Sequence, residues 1–248
     1  MQCDGNKQGG GFKKIRYSLL VSFIICVQTF SLRAQNKALG SWNILNGKLS
    51  LSEKWSVFGE AQIRSLKFYD HFHYHEVKGG VNYEMNSSLR FTIGGGSYQT
   101  YREGGDFVLP KNNDEIRIWP QLMLSQKLGR LKIEQRYRWE CRFTSSGYRN
   151  RYRYRVGLSI PLHRFSNDVG ISLIANNELF FTDSEPYFER NRVIGGLQFQ
   201  FNPSTGIQLA YLHQLDYRIN DEIGREFLVV GCYFEFMKNN QQDDAQKD

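Results

Sequence analysis

Arginine spacing is the chemically suggestive feature of this 248-residue chain. Between Leu131 and Phe143, charged side chains recur at every second position: Lys132, Glu134, Arg136, Arg138, Glu140 and Arg142. The next segment repeats the pattern with Arg149, Arg151, Arg153 and Arg155. Side chains two apart share one face of an extended chain, so each segment presents an ionic face. Glu60, Arg64, Glu115 and Glu178 fall on matching phases of other segments. Guanidinium forks match the geometry of carboxylate and phosphate. That leaves two chemistries. Arg and Glu pair with one another and fill an interior, as buried charges require, or the arginines form a basic conduit or pocket for small anionic solutes or lipid headgroups. Pairing is the simpler reading.

Two smaller groups carry other chemistry. His71, His73 and His75 share one face if the chain there is extended, and three imidazoles can hold zinc or copper. The spacing supplies no fourth ligand, so a solvated loop rim is the expected role and metal ligation the alternative. Ser145 or Ser146 with His71 or His213 offers a nucleophile and a base for an enzyme acting on envelope lipid at the rim. No Gly-x-Ser-x-Gly frames these serines. Gly94-Gly95-Gly96 lacks the Lys-Ser/Thr of a phosphate loop and reads as space for a bulky neighbour such as Tyr98 or Phe91. No catalytic residue and no cofactor is expected.

The elements that must position these residues are strands. Period-two alternation runs through Trp55–Ser65, Tyr74–Met85, Leu89–Tyr101, Asp114–Gln126, Leu131–Phe143, Tyr148–Ile160, Val169–Phe181, Arg190–Phe201, Gly206–Tyr217 and Arg225–Phe236. Runs of this length match the roughly 9–11 residues of a tilted membrane-spanning strand and exceed the 5–6 typical of soluble sheets. The fold class is therefore all-β, a transmembrane antiparallel β-barrel of about 10–12 strands over residues 35–237. Connections 86–88, 127–130, 163–168 and 202–205 are short and suit the periplasmic rim. Segments 66–73, 102–113, 182–189 and 218–224 are longer and suit the outside. Trp42–Leu51 is an eleventh segment. Even strand numbers are usual, so the count is ten, or twelve if Asn46-Gly47 is a hairpin turn. Trp55, Tyr83, Tyr101, Trp119, Tyr137, Trp139, Tyr148, Tyr217 and Tyr233 are expected in aromatic girdles.

Composition agrees. Mean hydropathy is −0.52 while 15% of residues are aromatic, a mixture that a polar interior and an apolar exterior explain together. Lys13, Lys14 and Arg16 precede an apolar stretch, Tyr17–Phe30, and residues 1–34 read as an export signal cleaved before Gln35. Lipid attachment through Cys26 is the rival reading, opposed by Ile25 where a small residue is expected. The leader carries Lys7, Lys13, Lys14, Arg16 and Arg33 against Asp4, so the net charge of +7 falls to +3 without it. That argues against a nucleic-acid partner. Residues 238–248 form a polar tail. Cys141 and Cys232 remain, with no spacing that argues for a disulfide.

Several motifs resemble, in order and spacing, an outer-membrane family common in Bacteroidetes and known as domain of unknown function 2490. They are Trp42, Lys54-Trp55, Phe58-Gly59-Glu60-Ala61-Gln62-Ile63-Arg64, Gly94-Gly95-Gly96-Ser97-Tyr98, Arg117-Ile118-Trp119-Pro120-Gln121, Arg130–Arg142 and Asn150–Arg155. The resemblance implies an outer-membrane barrel and carries no assigned activity. The expected function is a non-enzymatic structural or transport-type barrel with an Arg/Glu-filled lumen. The alternatives are a rim enzyme acting on envelope lipid and a narrow anion-selective pore. The expected partners are outer-membrane lipid, the barrel-assembly machinery during insertion, and a small anionic solute.

Overall fold

The computed structural model describes residues 38–166, 169–218 and 221–237. The leader 1–34, the Cys26 alternative and the tail 238–248 lie outside these residues. The alternating segments become strands β1 (Gly40–Ser50), β2 (Trp55–Lys67), β3 (Asp70–Asn86), β4 (Leu89–Arg102), β5 (Val108–Leu128) and β6 (Leu131–Thr144). They continue as β7 (Gly147–Arg164), β8 (Gly170–Thr182), β9 (Phe188–Asn202), β10 (Thr205–Arg218) and β11 (Asp221–Met237). Each strand pairs with its sequence neighbours, and β1 closes the barrel against β11. A closed sheet leaves no unpaired edge, which is what lets strands cross a lipid layer.

The described residues form eleven strands, neither ten nor twelve. Asn46 and Gly47 do not turn the chain: they face Glu60 and Gly59 of β2 on one side, and Tyr233 and Phe234 of β11 on the other. A tight hairpin turn there needs positive φ, and neither residue adopts it. An odd count forces the first and last strands to run parallel, and β1 pairs with β11 in that sense. The two ends of the strand order consequently lie at opposite rims rather than together. The first rim carries the β1–β2, β3–β4, β5–β6, β7–β8 and β9–β10 turns and the end of β11. The second rim carries the start of β1 and the other turns. Much of the longer connections at the second rim is strand: β3 begins at Asp70 and β5 at Val108.

Alternation sorts the side chains. Leu45, Ile93, Ile116, Ile118, Tyr137, Trp139, Leu173, Val193 and Leu209 stand outward and exposed, an apolar outer face of a kind that monomeric soluble proteins rarely carry. Cys141 and Cys232 are free thiols on outward phases. Inside, the girdle expectation fails for two residues. Trp119 is fully buried and Tyr233 lines the lumen. Along one row of cross-strand partners, Phe58, Gly80, Gly94 and Trp119 stand side by side. A Cβ at Gly94 would meet the Trp119 ring at 2.6 Å, and one at Gly80 the Phe58 ring at 2.8 Å. The glycines make room for Trp119 and Phe58, not for Tyr98 or Phe91. The parallel seam is backed by apolar packing of Trp42, Phe227, Val229, Ala210 and Leu212, with Trp42 and Phe227 edge to face at 5.7 Å.

Candidate functional site

The ionic face of β6 turns inward and meets that of β7 one strand away. Glu140, completely buried, stands opposite Arg151. Arg151 donates to its Oε2 from Nε at 2.8 Å and from Nη2 at 2.5 Å, and Arg153 Nη1 donates to Oε1 at 2.5 Å. Arg138 lies 3.5 Å and Arg117 3.9 Å from the same carboxylate. Glu178 of β8 accepts from Arg153 at 2.7 and 3.0 Å and from Arg136. Glu115 of β5 holds Arg117 at 2.8 Å and Arg142. Glu189 of β9 reaches Arg151 at 3.3 Å and Arg142 at 3.6 Å. Arg142 belongs to β6, three strands from β9, so the network crosses the interior instead of following the wall.

A second group braces β1–β3. Arg64 lies over the Trp42 ring at 3.4 Å and the Tyr74 ring at 4.0 Å, pairs with Glu76 at 3.1 Å and donates to Gln62 at 2.8 Å. Trp42 Nε1 donates to the same Gln62 oxygen at 2.8 Å. Lys78 bridges Glu60 and Glu76, both at 2.5 Å. On β9 and β10, Arg190 pairs with Asp216, while Arg192 donates to Gln214 at 2.8 Å. The negative faces of these rings attract the guanidinium groups electrostatically, which suits an interior with few carboxylates.

What remains open is a lumenal cavity of about 740 Å³. Fifteen Lys and Arg side chains line it against six Glu. Two of those arginines, Arg155 and Arg192, have no carboxylate within 4.0 Å among the described residues. An interior of eleven strands is wider than the eight that side chains just fill, and the long arginines occupy the difference.

The remaining candidates are dispersed. Glu134 sits toward the first rim, with Lys132 at 2.8 Å. The three histidines are not brought together. His73 is the extra residue of a β-bulge, because Tyr74 opposes Arg64 and Phe72 opposes Ser65. The bulge breaks the period on which the shared face depended. His73 is buried beside Tyr74, His71 pairs with Asp70 at 2.7 Å, and His75 lies 3.2 Å from the Tyr101 hydroxyl. Among the described residues no His, Cys, Asp and Glu cluster has metal-site geometry. Ser146 lies 3.0 Å from the Thr144 hydroxyl in the β6–β7 turn, and His213 faces Glu226 at 3.9 Å on the outer wall. No serine–histidine hydrogen bond occurs among the described residues. Sequence reasoning missed Trp42, Glu76, Lys78, Glu189, Arg190 and Arg192 as lumenal. The phase of Arg136 and Glu140 was readable because ten alternating charges mark β6 and β7. β1 and β3 mix aromatic and charged residues on their inner faces and hide it, and on β9 a register shift leaves Glu189 unpaired and brings it into the lumen beside Arg190.

A closed sheet of membrane-length strands, apolar outside and ionic within, defines a membrane-spanning β-barrel with a cross-linked lumen. The family model described as protein of unknown function (DUF2490) matches residues 39–224. The chain belongs to that family. No curated protein matches it. Among solved structures it is similar to LpxR from Salmonella typhimurium, with a TM-score of 0.48 and 9% identity over 76% of this chain and 86% of that one. Similarity of that degree carries no inference about activity.

Proposed function

We propose that this protein is a structural or transport-type barrel of the cell outer membrane, with a lumen closed at mid-height by the Glu140 network. The apolar outer wall and the strand lengths support a lipid environment. Export through a leader cleaved before Gln35, insertion by the barrel-assembly machinery and the second rim facing outward belong to the same reading. The observation that carries closure is Glu140 itself, held by guanidinium groups from β5, β6 and β7 and joined through Arg151 to Glu189 of β9. Charges so paired have no reason to part for a passing ion, since separating them leaves each uncompensated.

Planar bilayer recording of the folded barrel tests this. Silent membranes are expected for wild type, and stepwise conductance for Glu140→Ala, which removes the central acceptor. Discrete anion-preferring steps in wild type would overturn the closed reading and make the protein a narrow pore.

A further inference from the structure

The charges of the lumen are not balanced evenly. β6 runs from the first rim at Leu131 to the second at Thr144, so Arg136 lies on the first-rim side of Glu140. There Arg136 and Arg155 are direct cross-strand partners. Like charges placed opposite each other on one face of a sheet repel, and such pairs persist where an anion joins them. Elsewhere on the same hairpin the protein supplies that anion: Glu140 serves Arg151, Arg153 and Arg138. At this level the protein supplies one carboxylate, Glu178, the cross-strand neighbour of Arg155. It is engaged by Arg136 and Arg153, and no carboxylate oxygen lies within 4.0 Å of the Arg155 guanidinium among the described residues. On its other side Glu178 faces Arg192, also without a carboxylate. Nε of Arg136 and Nε of Arg155 are both buried and find no acceptor in the protein. Both side chains line the cavity of about 740 Å³.

We propose that the first-rim half of the lumen is a binding site for a phosphate-bearing ligand, its oxyanion held between Arg136 and Arg155. A planar fork with several fixed donors suits a tetrahedral oxyanion better than a monovalent halide. The neutral part of the wall there, Asn176, Gln198, Gln208 and Tyr233, offers hydrogen bonds to the rest of the molecule. These neutral groups offer more hydrogen-bonding partners than a lone phosphate uses, so the ligand is a phosphoester with a polar body or a lipid headgroup. The site rests on the barrel reading, and it does not need the lumen to conduct. The cavity that holds the site opens toward the first rim past Lys48 and Lys132 and continues past the Glu140 level to Glu189, Arg190 and Arg225.

Calorimetric titration of the folded barrel in detergent, with pyrophosphate in one arm and short-chain phosphatidic acid below its micellar concentration in the other, tests the proposal. Binding of either probe, weakening as salt rises, is expected. Arg155→Gln loses one fork of charge-assisted bonds and is expected to weaken it by about tenfold or more. Arg155→Lys keeps the charge and loses the fork, and is expected to fall between, which preserves the test if the glutamine variant fails to fold. Arg149→Gln, exposed at the second rim, leaves binding unchanged. Binding of the phosphatidic acid alone assigns the site to a lipid headgroup, and binding of pyrophosphate assigns it to a soluble phosphoester. No heat with either probe, or equal binding by the Arg155→Gln and Arg149→Gln proteins, overturns the proposal. Bilayer recordings are independent of it: conductance in wild type would overturn lumen closure while leaving this site standing.

Discussion

Glu140 has no exposed surface and at least two close guanidinium partners, so its removal leaves buried cations facing one another. Breaking a buried ion set by deleting one member costs about 3–5 kcal/mol. Glu140→Ala is expected to lower the urea midpoint of the folded barrel accordingly. Lys132→Ala, from a pair about half open to solvent, should change stability by less than about 1 kcal/mol. Outside the membrane span, Asp183 in the β8–β9 loop accepts from the Asn150 side chain at 2.7 Å and from its backbone N–H at 3.2 Å. Those bonds, the side-chain one foremost, hold its carboxyl below the usual range. A depressed folded-state value means the contribution is present above the ordinary carboxylate pKa and is lost as pH falls through the folded one. Thermal scans should therefore separate wild type from Asp183→Asn at neutral pH and bring them together in strong acid. At this scale the phase of Arg136–Arg155 was legible in the sequence, since alternation is a local property. The partners were not: Glu189 lies 38 residues from Arg151 in sequence and meets it only because the barrel curves.

Size complementarity across strands decides how β2–β5 fit together. The Gly80 and Gly94 pair makes room for Phe58 and Trp119 on either side. Gly94→Ala presses a methyl into the Trp119 ring, and overpacking of this kind costs about 1–3 kcal/mol. Trp119→Ala in the same chain should relieve the clash, so the double variant is expected to be less destabilised than the two single losses added. Gly59→Ala meets nothing within 4 Å and should be neutral or stabilise by up to about 1 kcal/mol. Chemical denaturation of all four proteins checks this. Trp42 performs the corresponding task at the seam: parallel pairing is slightly weaker per residue, and this indole packs on Phe227 and bonds Gln62. Trp42→Ala is expected to cost about 3 kcal/mol or more, read in the same denaturation series. The glycine run was legible as space-making. Its occupant was not, because Trp119 is 25 residues from Gly94 in the chain and reaches it only through the β4–β5 register.

Odd closure shapes the molecule as a whole. With eleven strands, the start of β1 and the end of β11 fall on opposite rims, and the turns divide between them. In the proposed orientation, Ser145 in the β6–β7 turn faces outward and Ser88 in the β3–β4 turn faces the periplasm. Both are exposed. A membrane-impermeant maleimide applied to intact cells should label Ser145→Cys and spare Ser88→Cys, in a background with Cys141 and Cys232 replaced by alanine. The reverse pattern would invert the orientation and place the phosphate site's opening at the cell surface.

The sequence by itself determined the class of wall. Two-residue alternation over membrane-length segments separates a lipid-facing from a lumen-facing set wherever charges mark one face, as on β6 and β7, and it needs only neighbouring residues to do so. It also singled out Glu60, Arg64, Glu134, Arg136, Arg138, Glu140, Arg142, Arg151, Arg153, Arg155 and Glu178 as the candidates for a lumenal charge cluster. Tertiary structure alone decided the rest. Whether β1 stays whole, how many strands close the ring, and which carboxylate each guanidinium meets depend on pairings between residues far apart in the chain. The His71–His75 face was lost to a single bulge for the same reason: register between strands, not composition within one, places a side chain in space.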